Sequence, residues 1–268
     1  MCKFFRPSAW ICTLLVLLGI LSNSAVAQSQ LSSAELERIG KRIWQNETAG
    51  SVEGLTSWNS GEDFASLGIG HFIWYPAGKD GPFEESFPQL ISYFRQAGVQ
   101  VPQWLLQTRD CPWATREAFI RDKNSQHQQD LRRLLSSTVK EQTQFIIARL
   151  NAAKPKFQDA AGNAAGMVAN NMQLLGQTAA GNFAMIDYVN FKGEGLKPEE
   201  RYKGQGWGLL QVLVEMGPVA SSKDAPAAFA RASKAVLTRR VENSPAARKE
   251  RQWLQGWLNR CGSYAKPF

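Results

Sequence analysis

Soft metal ligands are scarce in this chain. Its 268 residues hold two histidines and four cysteines, too few and too far apart in sequence to build a metal site. No cofactor or metal is expected. Internal repeats and low-complexity tails are missing too. No basic run is interleaved with aromatics, so nucleic acid is not the expected partner. Past the first 27 residues, no apolar run is long enough to span a bilayer.

The first residues read as a targeting segment. Met1-Cys2-Lys3-Phe4-Phe5-Arg6 is a short basic start, Trp10 to Leu21 is apolar, and Ala25-Val26-Ala27 is a small-residue cleavage site. Together they predict a secretory signal peptide over 1–27 and an exported chain, periplasmic or secreted. The mature chain, 28–268, is sized for one domain with an elaborated helical lobe. A monomer is expected, with no stable membrane insertion after cleavage. Removal takes Cys2 and Cys12, so Cys111 and Cys261 remain. An even pair in an exported chain predicts a disulfide between them, with two separate buried thiols as the alternative. The formal charge of +8 falls to +6 once Lys3 and Arg6 are gone. A positive exported protein suits an anionic partner, and the cell-wall polymer is the one at hand.

Function is concentrated in 43–75, IWQNETAGSVEGLTSWNSGEDFASLGIGHFIWY. Leu36, Ile39, Ile43 and Glu47 recur at helical spacing, so Glu47 stands on the stripe that faces the core. Gly50 is a plausible stop. A carboxylate there is partly desolvated and near the negative helix end, and both effects are expected to raise its pKa above the ordinary value of about 4.3. A protonated Glu is what general acid catalysis needs. Beyond it, Gly54, Gly61, Gly68 and Gly70 punctuate β-compatible runs, and Asn59-Ser60-Gly61 is a turn signal. A hairpin or three short strands is expected beside the helix end.

Ser32-Ser33-Ala34-Glu35 is a capping box before the first helix. Pro88 opens a second helix, which Gly98 closes. One helix is expected over 115–136, with His127 solvated, and a second capping box at Thr138 to Glu141. The stretch 151–182 contains a buried helix around Met167, Val168, Met172 and Leu175. Residues 225–241 are helical. Ser244-Pro245 caps a last helix with Trp253, Trp257, Leu258 and Cys261 on one face, stopped by Gly262. Of the nine tryptophans, Trp58, Trp74, Trp104, Trp113 and Trp207 are candidates for sugar stacking, with burial as the commoner use. Gln205, Trp207 and Gln211 are candidates to line a groove, with packing and capping as the alternative. Glu194, between two glycines, is weighed as a site acid against a solvated loop residue.

A helix ending in Glu47, followed by Ser66-Leu67-Gly68-Ile69-Gly70-His71, resembles the active-site segment of the phage-type lysozymes. That family carries a Glu at the end of its first helix, a hairpin with an Asp, then Thr-Ile-Gly-Tyr/Ile-Gly-His. The resemblance covers about thirty residues well and implies a mostly α-helical α+β fold with a small antiparallel sheet. It also implies cleavage of the peptidoglycan glycan backbone. Glu47 matches the acid, Ser66 the Thr that positions water, and His71 a mainly structural histidine. Asn190 in Tyr188-Val189-Asn190-Phe191 matches a late Asn of the family. The gap from Glu47 to Ser66 is four residues longer than the family's, and the family's Asp falls on Ser60. Glu62 and Asp63 are the nearby carboxylates, with Asn59 a neutral candidate. Chitosanases of the same superfamily have a longer gap as well. Gly208-Leu209-Leu210-Gln211 is similar to a Gly-Leu-Met-Gln element of lytic transglycosylases, where it follows the acid far more closely.

Overall fold

The computed structural model describes residues 31–79, 81, 83–198 and 200–268. The expected signal segment lies outside them. Helix α1 (Ser33–Thr48) opens as its capping box predicts. The Ser32 hydroxyl accepts the Glu35 N–H, and the Glu35 carboxylate accepts the Ser32 N–H at 2.8 Å. Leu36, Ile39 and Ile43 are buried. The helix stops where Ala49 and Gly50 both turn left-handed, at φ 54° and 74°.

Three short antiparallel strands follow, β1 (Thr56–Ser57), β2 (Ala65–Leu67) and β3 (Phe72–Trp74), in that order across the sheet. Ser66 lies opposite Ser57 on one side and Ile73 on the other. Gly68 begins the β2–β3 turn at φ 70°, and a side chain there would strike the Gln142 amide oxygen. That oxygen accepts the Ile69 N–H at 3.0 Å, while the Gln142 amide nitrogen donates to Leu135 O. Gln142 is fully buried. One side chain therefore pins the glycine-rich turn to the helix beneath it.

The rest is helical: α2 (Phe87–Gln96), α3 (Gln103–Leu106), α4 (Arg116–Arg121), α5 (Gln126–Ser137), α6 (Val139–Ala161), α7 (Ala165–Gly176) and α8 (Ala179–Lys192). A small hairpin, β4 (Arg201–Tyr202) and β5 (Gln205–Gly206), leads to α9 (Leu209–Glu215), α10 (Ala225–Asn243) and α11 (Arg251–Ser263). The fold is α+β, mostly helical, with a small antiparallel sheet. Helix α1 packs on α6 and α8, while α10 packs on α8, α9 and α11. Gly40 lets α1 approach α6, since a side chain there would meet Val139 and Thr143. Among the described residues, no helix is long and apolar enough to cross a membrane.

Several local expectations are corrected. The helix expected over 115–136 is two. Its middle breaks because the Ser125 hydroxyl caps a new start by accepting the Gln128 N–H, and Asp122 is drawn to the Trp113 indole at 2.7 Å. His127 is exposed and stacks on Trp104, with ring centroids 4.1 Å apart. Thr138 makes no side-chain cap; its hydroxyl donates backwards to Leu134 O at 2.7 Å. The last helix starts at Arg251 rather than at Ser244, after a 3-10 turn over Ala246–Arg248, and Gly262 lies inside it. Of its four apolar positions only Cys261 is buried, and Trp253 is 48% exposed.

The disulfide is not formed: Cys111 and Cys261 are both free and buried. They belong to different neighbourhoods. Cys111 bridges to Pro76, and its thiol donates to Trp113 O. Cys261 sits on α11 beside Ser233 of α10. Burial pushes the Cys111 thiol up to about 12 and raises that of Cys261.

Candidate active site

The end of α1 delivers Glu47 to a cluster of charges from two distant helices, α8 and α11. Arg260 on α11 donates Nη2–H to Glu47 Oε1, and its Nε and Nη2 also donate to the two oxygens of Asp187 on α8, both at 2.8 Å. Asp187 is completely buried. It also accepts from the Tyr264 hydroxyl at 2.7 Å and the Asn46 amide at 3.0 Å. A buried carboxylate needs such partners to stay tolerable. Burial works against the Arg260 charge, but the hydrogen bonds and charge of Asp187, with Glu47 and Tyr264, outweigh it and hold its pKa above the ordinary arginine value. Its guanidinium carbon lies 4.1 Å from the centre of the Phe191 ring. The expectation for Glu47 counted burial and the helix end alone. The structure adds a guanidinium whose charge is shared between two carboxylates.

The second oxygen of Glu47 faces the sheet. His71 closes the β2–β3 turn with a left-handed backbone, φ 46°, a conformation that His tolerates better than most side chains. Its Nδ1 is 3.7 Å from Glu47 Oε2. His71 also lines a cavity of about 470 Å³, so it joins Glu47 to that cavity. The walls come from Gly70–Ile73, from Ile146, Arg149 and Leu150 on α6, from Val189–Lys192 at the end of α8, and from the loop after it. Asn190 is in the wall, and its Nδ2 is buried with no hydrogen-bond partner among the described residues. Such an orphaned donor calls for an explanation, and a ligand oxygen would supply one.

Ser66 is brought to the same region by register. It stands opposite Ile73, and directly paired residues share a sheet face. Ile73 lines the cavity, but Ser66 is buried and is not among its lining residues, and Ser57 lines a separate pocket beside Arg116 and Arg132.

Three described carboxylates line the cavity: Glu84, Glu194 and Glu200. Glu84 is tied to Arg149 and Gln89, and Glu200 accepts from the Lys197 N–H. The Glu194 side chain has no hydrogen bond or ion pair among the described residues. Its backbone is fixed, because Glu194 O accepts the Leu210 N–H at 3.0 Å.

Other sequence candidates fall elsewhere. Glu62 accepts from Asn59, and its carbonyl accepts the Trp58 indole N–H. Asp63 is exposed, and both acids lie near enough to Tyr75 to raise its pKa, behind burial and Glu85. Neither contacts Glu47 among the described residues. Trp58 is buried edge-on against Phe119. Trp207 is buried against Tyr202, with Arg240 over its ring at 4.1 Å. Gln211 caps α9 by accepting the Gly208 N–H and donates to Gly195 O. Trp207 and Gln211 thus shape the loop that carries Glu194, and neither is among the residues lining the cavity. Trp74, Trp113 and Trp104 serve packing or structural hydrogen bonds.

Sequence reading missed Asp187 and Arg260. A signal for Asp187 existed: a lone acid between Ile186 and Tyr188, inside an apolar helix, demands a buried partner.

No family model, no curated protein and no solved structure matches this chain. What fold and site define is an α+β protein with a carboxylate–guanidinium–carboxylate centre beside an open cleft.

Proposed function

We propose that the protein is an exported glycoside hydrolase with a lysozyme-like fold that cleaves the β-1,4 glycan backbone of peptidoglycan, with Glu47 as the general acid. The observation that carries this reading is the setting of Glu47. It lies at a helix end, with one oxygen toward His71, which lines the cavity. The resemblance over Glu47, Ser66 and His71 and the net positive charge support the same substrate.

In this mechanism Glu47 gives its proton to the glycosidic oxygen as the bond to the anomeric carbon breaks, through an oxocarbenium-like transition state. Water adds to that carbon, and its proton passes to a carboxylate across the sugar. Glu194 takes that role in place of Asp63 or Glu62, because it lines the cavity and its side chain is unengaged. Following the resemblance, Ser66 is assigned to the water, and Asn190, in the cavity wall, donates to a substrate oxygen. Attack from the opposite face inverts the anomeric centre.

A lytic transglycosylase is the second reading. It needs a single acid, which suits the position of Glu62 and Asp63 outside the cavity wall. Mass spectrometry of soluble products from sacculi separates the two. Reducing muropeptides support hydrolysis, and anhydro products, lighter by one water, support the transglycosylase. Absence of both, with sacculi still bound, leaves a non-catalytic wall-binding protein.

A further inference from the structure

Helix α11 does more than supply Arg260. Trp253, Trp257 and Arg260 stand at i, i+4 and i+7, so they share one helix face. At 1.5 Å per residue, Trp257 lies about 4.5 Å and Trp253 about 10 Å along the axis from Arg260. The face that presents a guanidinium to Glu47 therefore continues outward as a pair of indoles. Their ring centroids are 6.1 Å apart and the planes are inclined by 33°. Trp253 is 48% exposed, the largest aromatic among the exposed large hydrophobics. An exposed indole beside a half-buried one is an unusual use of so much apolar surface.

The pair is continuous with the cleft. Phe191, which lines the cavity, meets Trp257 edge-on at 6.4 Å. Lys192, also in the wall, holds its ammonium 3.4 Å from the Trp257 ring centre. Arg240 lies 5.1 Å from the same ring. Lys192 forms no ion pair among the described residues, and burial lowers its amine to about 7, so near neutral pH it backs the aromatic surface as a partly protonated amine whose charged form an anion on the polymer favours.

We infer that Trp253 and Trp257 form a sugar-stacking platform that takes the glycan as it runs out of the cleft along α11. The ligand's identity rests on the proposed glycan cleavage. Sugar rings present flat arrays of C–H groups that stack on indoles; Arg240 is held by Glu250 through two 2.8 Å hydrogen bonds, so the group beside the platform that meets a carboxylate on the polymer is Lys192. The occupant is an extended, negatively charged β-1,4 glycan rather than a protein.

The test is binding by the full mature chain carrying Glu47→Gln, measured on insoluble sacculi and on a β-1,4-linked N-acetylglucosamine hexamer. Adding Trp253→Ala should weaken both about tenfold and abolish the tryptophan fluorescence change on hexamer addition. Trp253→Phe should restore most of the affinity. Trp253 is half exposed, so thermal unfolding of the Ala variant should match its parent, and this separates lost stacking from lost fold. Equal binding by the Ala variant, or no binding by its parent, overturns the platform. The two readings fail separately. Unimpaired binding beside normal product release by wild type refutes the platform alone. Weakened binding beside no product from wild type refutes cleavage alone.

Discussion

Replacing Asp187 with Ala tests whether the buried charge cluster holds the site together. Asp187 has no solvent exposure and accepts four hydrogen bonds, two from Arg260, one from Tyr264 and one from Asn46. Its removal leaves the Arg260 guanidinium buried with Glu47 as its remaining anion. Breaking a buried pair from one side costs about 3–5 kcal/mol. The Tyr264 hydroxyl, on a residue 1% exposed, loses its acceptor at about 1–3 kcal/mol more. Contacting groups do not add fully, so the whole loss should be about 4–6 kcal/mol. At roughly 2–4 °C per kcal/mol for a domain of this size, unfolding should fall by about 10–20 °C. Urea titration followed by far-UV circular dichroism reads the free energy, and a thermal scan reads the shift. Asp187→Asn, which keeps one acceptor oxygen, should lose about half as much. A loss below about 1 kcal/mol for the Ala variant would refute the account of how Arg260 is held.

Glu194→Gln should slow release of dye from labelled sacculi by at least about 100-fold, while Asp63→Asn should leave the rate within about twofold; the opposite pattern would return the second carboxylate to the β1–β2 loop. Lys192→Met should stabilise the protein more at pH 6 than at pH 9, read as the shift in urea midpoint against wild type. Burial, with Arg240 beside it, lowers the Lys192 amine to about 7. Below that pH the amine is charged folded and unfolded, and the fold bears the full desolvation penalty. Between there and the ordinary lysine value of about 10.4, the penalty fades as pH rises. The two gains should differ by about 2.5–3 kcal/mol, and equal gains would show that Lys192 is charged throughout. Mature protein denatured without reductant should titrate two thiols, against none for a disulfide. Folded at pH 8, neither should react quickly, since burial raises both.

What the sequence made legible was local. The Ser32–Glu35 capping box, the stripe through Ile39 and Ile43, and the left-handed stop after Thr48 are short-range devices, and all are present. The three strands follow from glycine punctuation in the same way. Arg260 was not legible, because it reaches Glu47 across 213 residues of chain and only tertiary packing brings α11 to the end of α1. Periodicity along 253–261 revealed a helix face but not what covers it, and Trp253 stands half exposed there. The helix expected over 115–136 failed for a different reason. Apolar positions on both sides were joined into one helix across the polar interval from Arg121 to Asp130, in which Ser125 starts a second helix. Glu62 and Asp63 were favoured by nearness in sequence to Ser60, where the family's Asp falls, whereas the cavity takes its unengaged carboxylate, among the described residues, from the loop after α8.

The central claim is that Glu47 is the acid. Its most direct test is the rate of dye release from labelled sacculi by the mature protein and by Glu47→Gln, with both variants checked for equal unfolding midpoints and equal sacculus binding. The account predicts release by wild type and a loss of at least about 100-fold for Glu47→Gln at unchanged binding. Release by Glu47→Gln at the wild-type rate would contradict it.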